Sequence, residues 1–169
     1  MNVLEAIYSR RSVRKYTAVE VSKQNVEVML RAAMSAPSAG NQQPWQFIVV
    51  DDKDLIDKIP TVHPYAHMCR DAYLVIIPCI DLKKEKHESF AVQDLAAATQ
   101  NILLAARALG LGAVWLGTYP REERVEGVQQ LFNLPEHILP FSVLPIGHTK
   151  VLQERINRYD ADKVHHNTW

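Results

Sequence analysis

Two cysteines, Cys69 and Cys79, are all that 169 residues contain. Both stand in apolar surroundings, which excludes a disulfide framework and suits a reducing compartment. No apolar run approaches the roughly 20 residues a membrane-crossing helix needs. The first residues, MNVLEAIYSRR, lack the long apolar core of a secretory leader. A soluble, cytoplasmic protein without a membrane partner is expected. Net charge is missing too, because 19 basic and 19 acidic side chains cancel. A neutral chain has no global field to hold nucleic acid, so any anion must be gripped by a local cluster. Also absent are a Gly-x-Ser-x-Gly elbow, a P-loop and a zinc-protease motif.

What is present is an ordinary globular composition, 47% hydrophobic and 22% charged, so a single domain over residues 1–169 is expected. Asn2 and Glu5 read as an N-cap and capping box, with Val3, Leu4, Ile7 and Tyr8 on one helical face. Ser22 caps a second helix, where Val26, Met29, Leu30, Ala33 and Met34 recur at the helical period until Pro37. Trp45 to Val50 is a compact strand. Asp52 to Ile59 reads as a short helix, and Pro64 disfavours a helical His63. Ala72 to Leu82 reads as a buried strand, in which Pro78 argues for an edge position or a bulge. The longest helix spans Ser89 to Leu109 and is apolar nearly all round, with a thin polar stripe through Gln93, Gln100 and Arg107. Such a helix is either central or faces a second subunit. Gly110 and Gly112 read as its terminators. Ala113 to Tyr119 and Ile138 to Ile146 are further strands, separated by a helix from Arg121 to Phe132. Helices and strands mix without regular alternation, so the expected class is α+β with a mixed or antiparallel sheet.

Three constellations could carry chemistry. Arg10 to Lys15, RRSVRK, concentrates four cations and a hydroxyl in six residues. In an extended segment Arg10, Ser12 and Arg14 share one face and offer two guanidinium forks to a phosphate; a solvated charge run is the plain alternative. The second, Pro37 to Pro44, holds small residues and amides that let backbone approach a flat ligand, or it is simply a helix-to-strand connector. The third, Gly110 to Gly117, resembles a dinucleotide glycine pattern only superficially, since it closes a helix and opens a strand. Gly117 instead marks close approach of a ligand to backbone. His63, His67 and Cys69, with His165 and His166 in the tail, do not complete a metal set.

Taken together these motifs carry a resemblance. RRSVRKY after the first helix, APSAGNQQPWQFIVV after the second, the long helix ending ALGLGAVWLG, and PIGH in the last strand follow the order of the FMN-dependent nitroreductase family. The chain resembles that family from Met1 to Trp169, and its tail, RYDADKVHHNTW, resembles the ending of the short members. The resemblance implies a three-layer α+β sandwich, a central mixed or antiparallel sheet flanked by helices, working as an intertwined homodimer with FMN at the interface. Arg10, Arg11 and Ser12 would hold the phosphate and ribityl chain, and Arg14 would lie beside the N1 and O2 edge of the ring. Pro37, Ser38, Ala39 and Asn41 would come from the other subunit, with Gln43 close by. Leu116 and Gly117 would offer backbone near N5, and Arg158 would complete the phosphate site, with Arg155 the competing candidate. The implied activity is hydride transfer from NAD(P)H through tightly bound FMN to nitroaromatics, quinones or similar electron-poor acceptors, in alternating half-reactions. Other flavin chemistry (dehalogenation, flavin breakdown, dehydrogenation) and a non-catalytic flavin-binding module remain open. No protein acid or base is implied, because the cofactor carries the chemistry. Two features of larger members have no clear counterpart here. They are polar or basic contacts in the loop around Tyr65 and Met68, and a helical excursion before the long helix, where this chain has only Lys83 to Glu88.

Overall fold

A computed structural model describes residues 1–87 and 89–169; Glu88, the last residue of the short Lys83–Glu88 stretch, lies outside them. The elements in order are α1 (Val3–Ser9), α2 (Lys23–Met34), β1 (Trp45–Val50), α3 (Lys53–Val62), β2 (Leu74–Asp81), α4 (Ala91–Ala108), β3 (Leu111–Ala113), β4 (Leu116–Gly117), α5 (Glu122–Leu131), β5 (Ile138–Pro140) and β6 (Ser142–His148). The strands form one antiparallel sheet in the order β1-β2-β6-β3, with β5 beside β2 and β4 beside β6. This is the expected α+β sandwich, and a single parallel bridge, Ser12 to Ala113, adds the N-terminal segment to its edge.

The period-two alternation of β2 builds both halves of the core. Leu74, Ile76 and Ile80 join Met29 and Ala33 of α2 and Leu95, Ala98 and Ile102 of α4 on one face. Val75, Ile77 and Cys79 join Ile56 and Ile59 of α3 and Val128 of α5 on the other. Each fully buried Leu, Ile or Val contributes about 1.5–3 kcal/mol. The two cysteines are free and buried, and burial pushes both thiols up to about 12.

Several expectations need correction. Of the two readings of Pro78, edge or bulge, the second holds: β2 has neighbours on both sides, and its register slips by one residue between Ile76 opposite Leu144 and Cys79 opposite Pro140. Its carbonyl accepts from Phe141 N at 2.8 Å, so its missing N–H falls where β2 changes partner from β6 to β5. A ladder bond is absent there anyway. For the same reason the strand expected over Ile138–Ile146 divides at Phe141. Gly110 ends α4 with a positive φ of 77°, but Gly112 is no terminator. It lies inside β3, where a Cβ would stand 2.6 Å from Val13 Cγ1. The helix expected to stop at Ile59 runs on to Val62 with Pro60 inside it. Helix α4 is the central one, packed between the sheet and α2.

The first helix forms where its cap and apolar period place it. Asn2 caps it through Glu5 N at 2.8 Å, yet its apolar face, Val3, Leu4, Ile7 and Tyr8, is exposed. The turn side chains it buries are Ala6 and Ser9. The tail beyond Thr149 adds no strand and leaves Leu152, Ile156, Tyr159 and Trp169 open to solvent.

Candidate functional site

The tail returns across the end of α1 and is pinned there by two arginines and a glutamine. Arg11 donates to the carbonyls of Tyr8 and Glu154. Arg107 of α4 donates to Ser9 Oγ at 2.9 Å and to Gln153 O at 3.2 Å. Gln153 Nε2 donates in turn to Leu111 O at 3.2 Å. Between tail and helix this leaves a cavity of about 760 Å³ lined by Tyr8, Arg10, Arg11, Arg155, Arg158 and Tyr159, among others.

The guanidiniums in that cavity are not equivalent. Arg155 pairs with Glu5 at 3.7 Å and lies over the Tyr8 ring. Arg11 lines the wall and donates from its guanidinium to the carbonyls of Arg10, Tyr8 and Glu154, which ties the tail to the end of α1. Arg10 and Arg158 have no carboxylate partner among the described residues. Burial pushes the Arg10 pKa down, and the charges of Arg11 and Arg158 push it further. Crowded like charges without a counter-ion favour an incoming anion.

The N-terminal segment leads from this cavity to the sheet edge. Val13 N donates to Ala113 O at 3.0 Å, Val13 is buried, and Ser12 and Arg14 are exposed, as their alternation predicts. β3 and β4 keep one continuous register against β6, from Leu111 opposite His148 to Gly117 opposite Ser142. Thr118 N donates to Phe141 O at 3.2 Å, so the preceding pair, Gly117 and Ser142, is the non-hydrogen-bonded kind. Gly117 therefore turns its N–H and C=O away from β6, to the outer edge where Ala113 meets Val13. It is exposed, and nothing lies within 4 Å of where a Cβ would sit.

A profile of the nitroreductase family matches residues 7–62 and 61–148. The chain belongs to the nitroreductase family. With that family comes its class of reaction, oxidoreduction. The chain is 50% identical, over all its 169 residues and 88% of the relative, to a provisionally named NADH dehydrogenase/NAD(P)H nitroreductase of Methanothermobacter thermautotrophicus. A provisionally named NADH oxidase of Clostridium acetobutylicum has a similar structure, with a TM-score of 0.94 at 45% identity, covering 97% of this chain and 99% of that one. A provisionally named nitroreductase of Desulfovibrio desulfuricans, solved in complex with FMN, gives 0.85 at 34% identity, covering 100% of this chain and 98% of that one.

The loop expected to serve a nitroreductase from its partner subunit, Pro37 to Gln43, does not line the arginine cavity of its own chain. Gly40, Asn41 and Gln43 all have positive φ, and Ser38 Oγ accepts from Gln43 N at 3.1 Å. Two residues not singled out in the sequence hold this shape. Asp94, 5% exposed in the first turn of α4, accepts from Ala39 N at 2.9 Å and from Gln42 Nε2 at 2.7 Å. Gln42 Oε1 then accepts from the N–H groups of Lys86 and His87. The available signal was a lone carboxylate in an otherwise apolar helix. Asp94→Ala should leave one buried and one half-buried donor unpaired, lowering stability by about 2 kcal/mol, and Asp94→Asn should recover part of it; urea midpoints read both.

The segment that leads from α3 to β2 begins with a buried histidine, His63. His63 Nε2 lies 3.0 Å from Gly117 O; a carbonyl only accepts, so Nε2 carries the proton. Nδ1 then accepts from Tyr65 N at 3.4 Å. Burial holds the His63 pKa below its ordinary value; the Gly117 bond opposes this, and nearby Arg124 adds to it. As pH falls past about 6.5 the unfolded chain takes up this proton first, so stability is lost from there down to the folded-state pKa. Urea midpoints across mildly acidic pH should fall less steeply in His63→Gln. Among the described residues no cluster of His, Cys, Asp and Glu could hold a metal, and no helix is long and apolar enough to cross a membrane.

Proposed function

We propose that this chain is an FMN oxidoreductase, passing a hydride from NAD(P)H to an electron-poor planar acceptor such as a nitroaromatic or quinone. The observation that carries this is the cavity where Arg10 and Arg158 stand without a carboxylate partner among the described residues, joined by the N-terminal segment to the sheet edge that carries Gly117. A phosphate dianion suits two free forks, and the open space at Gly117 suits a planar ring. The relative solved with FMN at 34% identity over this whole chain supports the assignment.

Each residue has a part in that reading. Arg10 and Arg158 grip the phosphate, Ser12 adds a hydroxyl, and Arg11 keeps the tail in place. Arg14, exposed and without a carboxylate partner among the described residues, sets a positive charge beside the N1 and O2 edge and favours the reduced cofactor. Leu116 and Gly117 offer backbone near N5. Bound FMN supplies the hydride chemistry itself. The remaining wall, Pro37, Ser38, Ala39, Asn41 and Gln43, comes from a second copy in an intertwined homodimer. The exposed apolar face of α1 and the tail residues Ile156 and Tyr159 supply surface for that contact.

Steady-state kinetics with NADPH or NADH and a quinone test the activity. The expected pattern is parallel double-reciprocal lines, the mark of alternating half-reactions. A protein that holds FMN yet shows no bleaching of its visible band under anaerobic NAD(P)H would be a flavin-binding module instead.

A further inference from the structure

Behind β4 sits a polar cluster that the proposed function does not use. His63, 1% exposed, donates to Gly117 O at 3.0 Å. Arg124, in the first turn of α5, donates from Nη1 to the same oxygen at 2.9 Å. Two donors from separate elements thus saturate both lone pairs of one carbonyl. Arg124 also lies 5.1 Å over the Tyr65 ring, and its buried Nε has no partner among the described residues.

Burying polar side chains is costly, and one donor already satisfies a carbonyl. A second makes sense where orientation matters. Gly117 has no side chain to fix its torsions, it stands at the end of a two-residue strand, and its outward groups receive nothing from β6. Held by its oxygen from two directions, the peptide that follows Gly117 is fixed, which restrains the backbone torsions that link it to the Gly117 N–H.

We propose that His63 and Arg124 are positioning residues that lock the Gly117 carbonyl and thereby present the Gly117 N–H, outward and unpaired, as donor to N5 of FMN. The inference rests on the FMN reading above. It assigns to the loop before β2 and the start of α5 a shared role in placing the reactive end of the cofactor.

5-Deaza-FMN separates this role from simple packing, because it carries C–H where FMN has N5 and cannot accept the bond. The wild-type protein should bind FMN about tenfold more tightly than 5-deaza-FMN, the order expected when one presented donor goes unpaired. In Arg124→Ala and in His63→Leu that preference should fall toward one. His63→Gln, which keeps an N–H donor, should retain much of it. Arg121→Ala, an exposed arginine one turn away, should leave it unchanged. If the Arg124 and His63 variants weaken both cofactors equally and keep the tenfold ratio, the residues only support the fold and the proposal fails. A wild-type ratio near one also overturns it. Should the wild-type protein bind neither cofactor, the FMN reading itself falls. Arg124 is the more exposed of the pair, so its variant decides the matter if His63→Leu does not fold.

Discussion

Deleting residues 155–169 is expected to leave a folded chain that binds FMN at least a hundredfold more weakly and no longer dimerises. The stretch removed adds no strand to the sheet and buries no apolar side chain of its own, so the cost to the core is small. What it removes is one side of the cavity, Arg155, Ile156, Arg158 and Tyr159. Loss of the Arg158 charge alone forfeits a charge-assisted bond of about 1.5–3 kcal/mol. Tyr159 is 76% exposed and Trp169 100% exposed in a single chain, which makes sense if a second copy covers this arm. Thermal unfolding, flavin titration and sedimentation of the truncated chain check the three parts separately.

The second large effect is expected at Arg10. Arg10→Ala should weaken FMN roughly 10- to 100-fold, from the same range of energies, while leaving riboflavin affinity almost unchanged. Riboflavin shares the ring and ribityl chain but has no phosphate, so the ratio of the two affinities isolates the anion contact. Lys15→Ala serves as the comparison, since Lys15 does not line the cavity and lies one residue off the shared alternation of Arg10, Ser12 and Arg14. Equal losses for FMN and riboflavin in Arg10→Ala would place the arginine elsewhere than at the phosphate.

Much of this was legible in the chain because local pattern and tertiary environment agree. The alternation in LVIIPCID places Leu74 and Val75 on opposite faces of a sheet covered on both sides. RRSVRK stands out as a candidate anion site because the chain as a whole carries no net charge. Where expectation failed, a long-range partner had decided the matter. For Pro78 the edge reading failed and the bulge reading held, because β6 gives way to β5 with one extra residue beside it, some sixty residues later in the chain. Gly112 is needed because Val13 packs onto it, which no window around α4 reveals. His63 and Arg124 are 61 positions apart and meet at one carbonyl oxygen. A histidine before a proline carries no local sign of that.

The exposed face of α1 has the same lesson in it. Val3, Leu4, Ile7 and Tyr8 form the amphipathic stripe that periodicity predicts, but the stripe points to solvent rather than to the core. Hydrophobic periodicity marks a surface that wants cover without saying which polypeptide provides it. The arginine cavity lies beside that stripe, and the Pro37–Gln43 loop lies outside the cavity's lining. Both observations suit a site completed by two chains.

Sedimentation velocity of the purified protein, followed both in the ultraviolet and in the visible flavin band, tests that central claim most directly. The expected result is one species with the mass of two chains, carrying the visible absorbance at two FMN per dimer. A colourless species with the mass of one chain, unchanged after incubation with excess FMN, would contradict it.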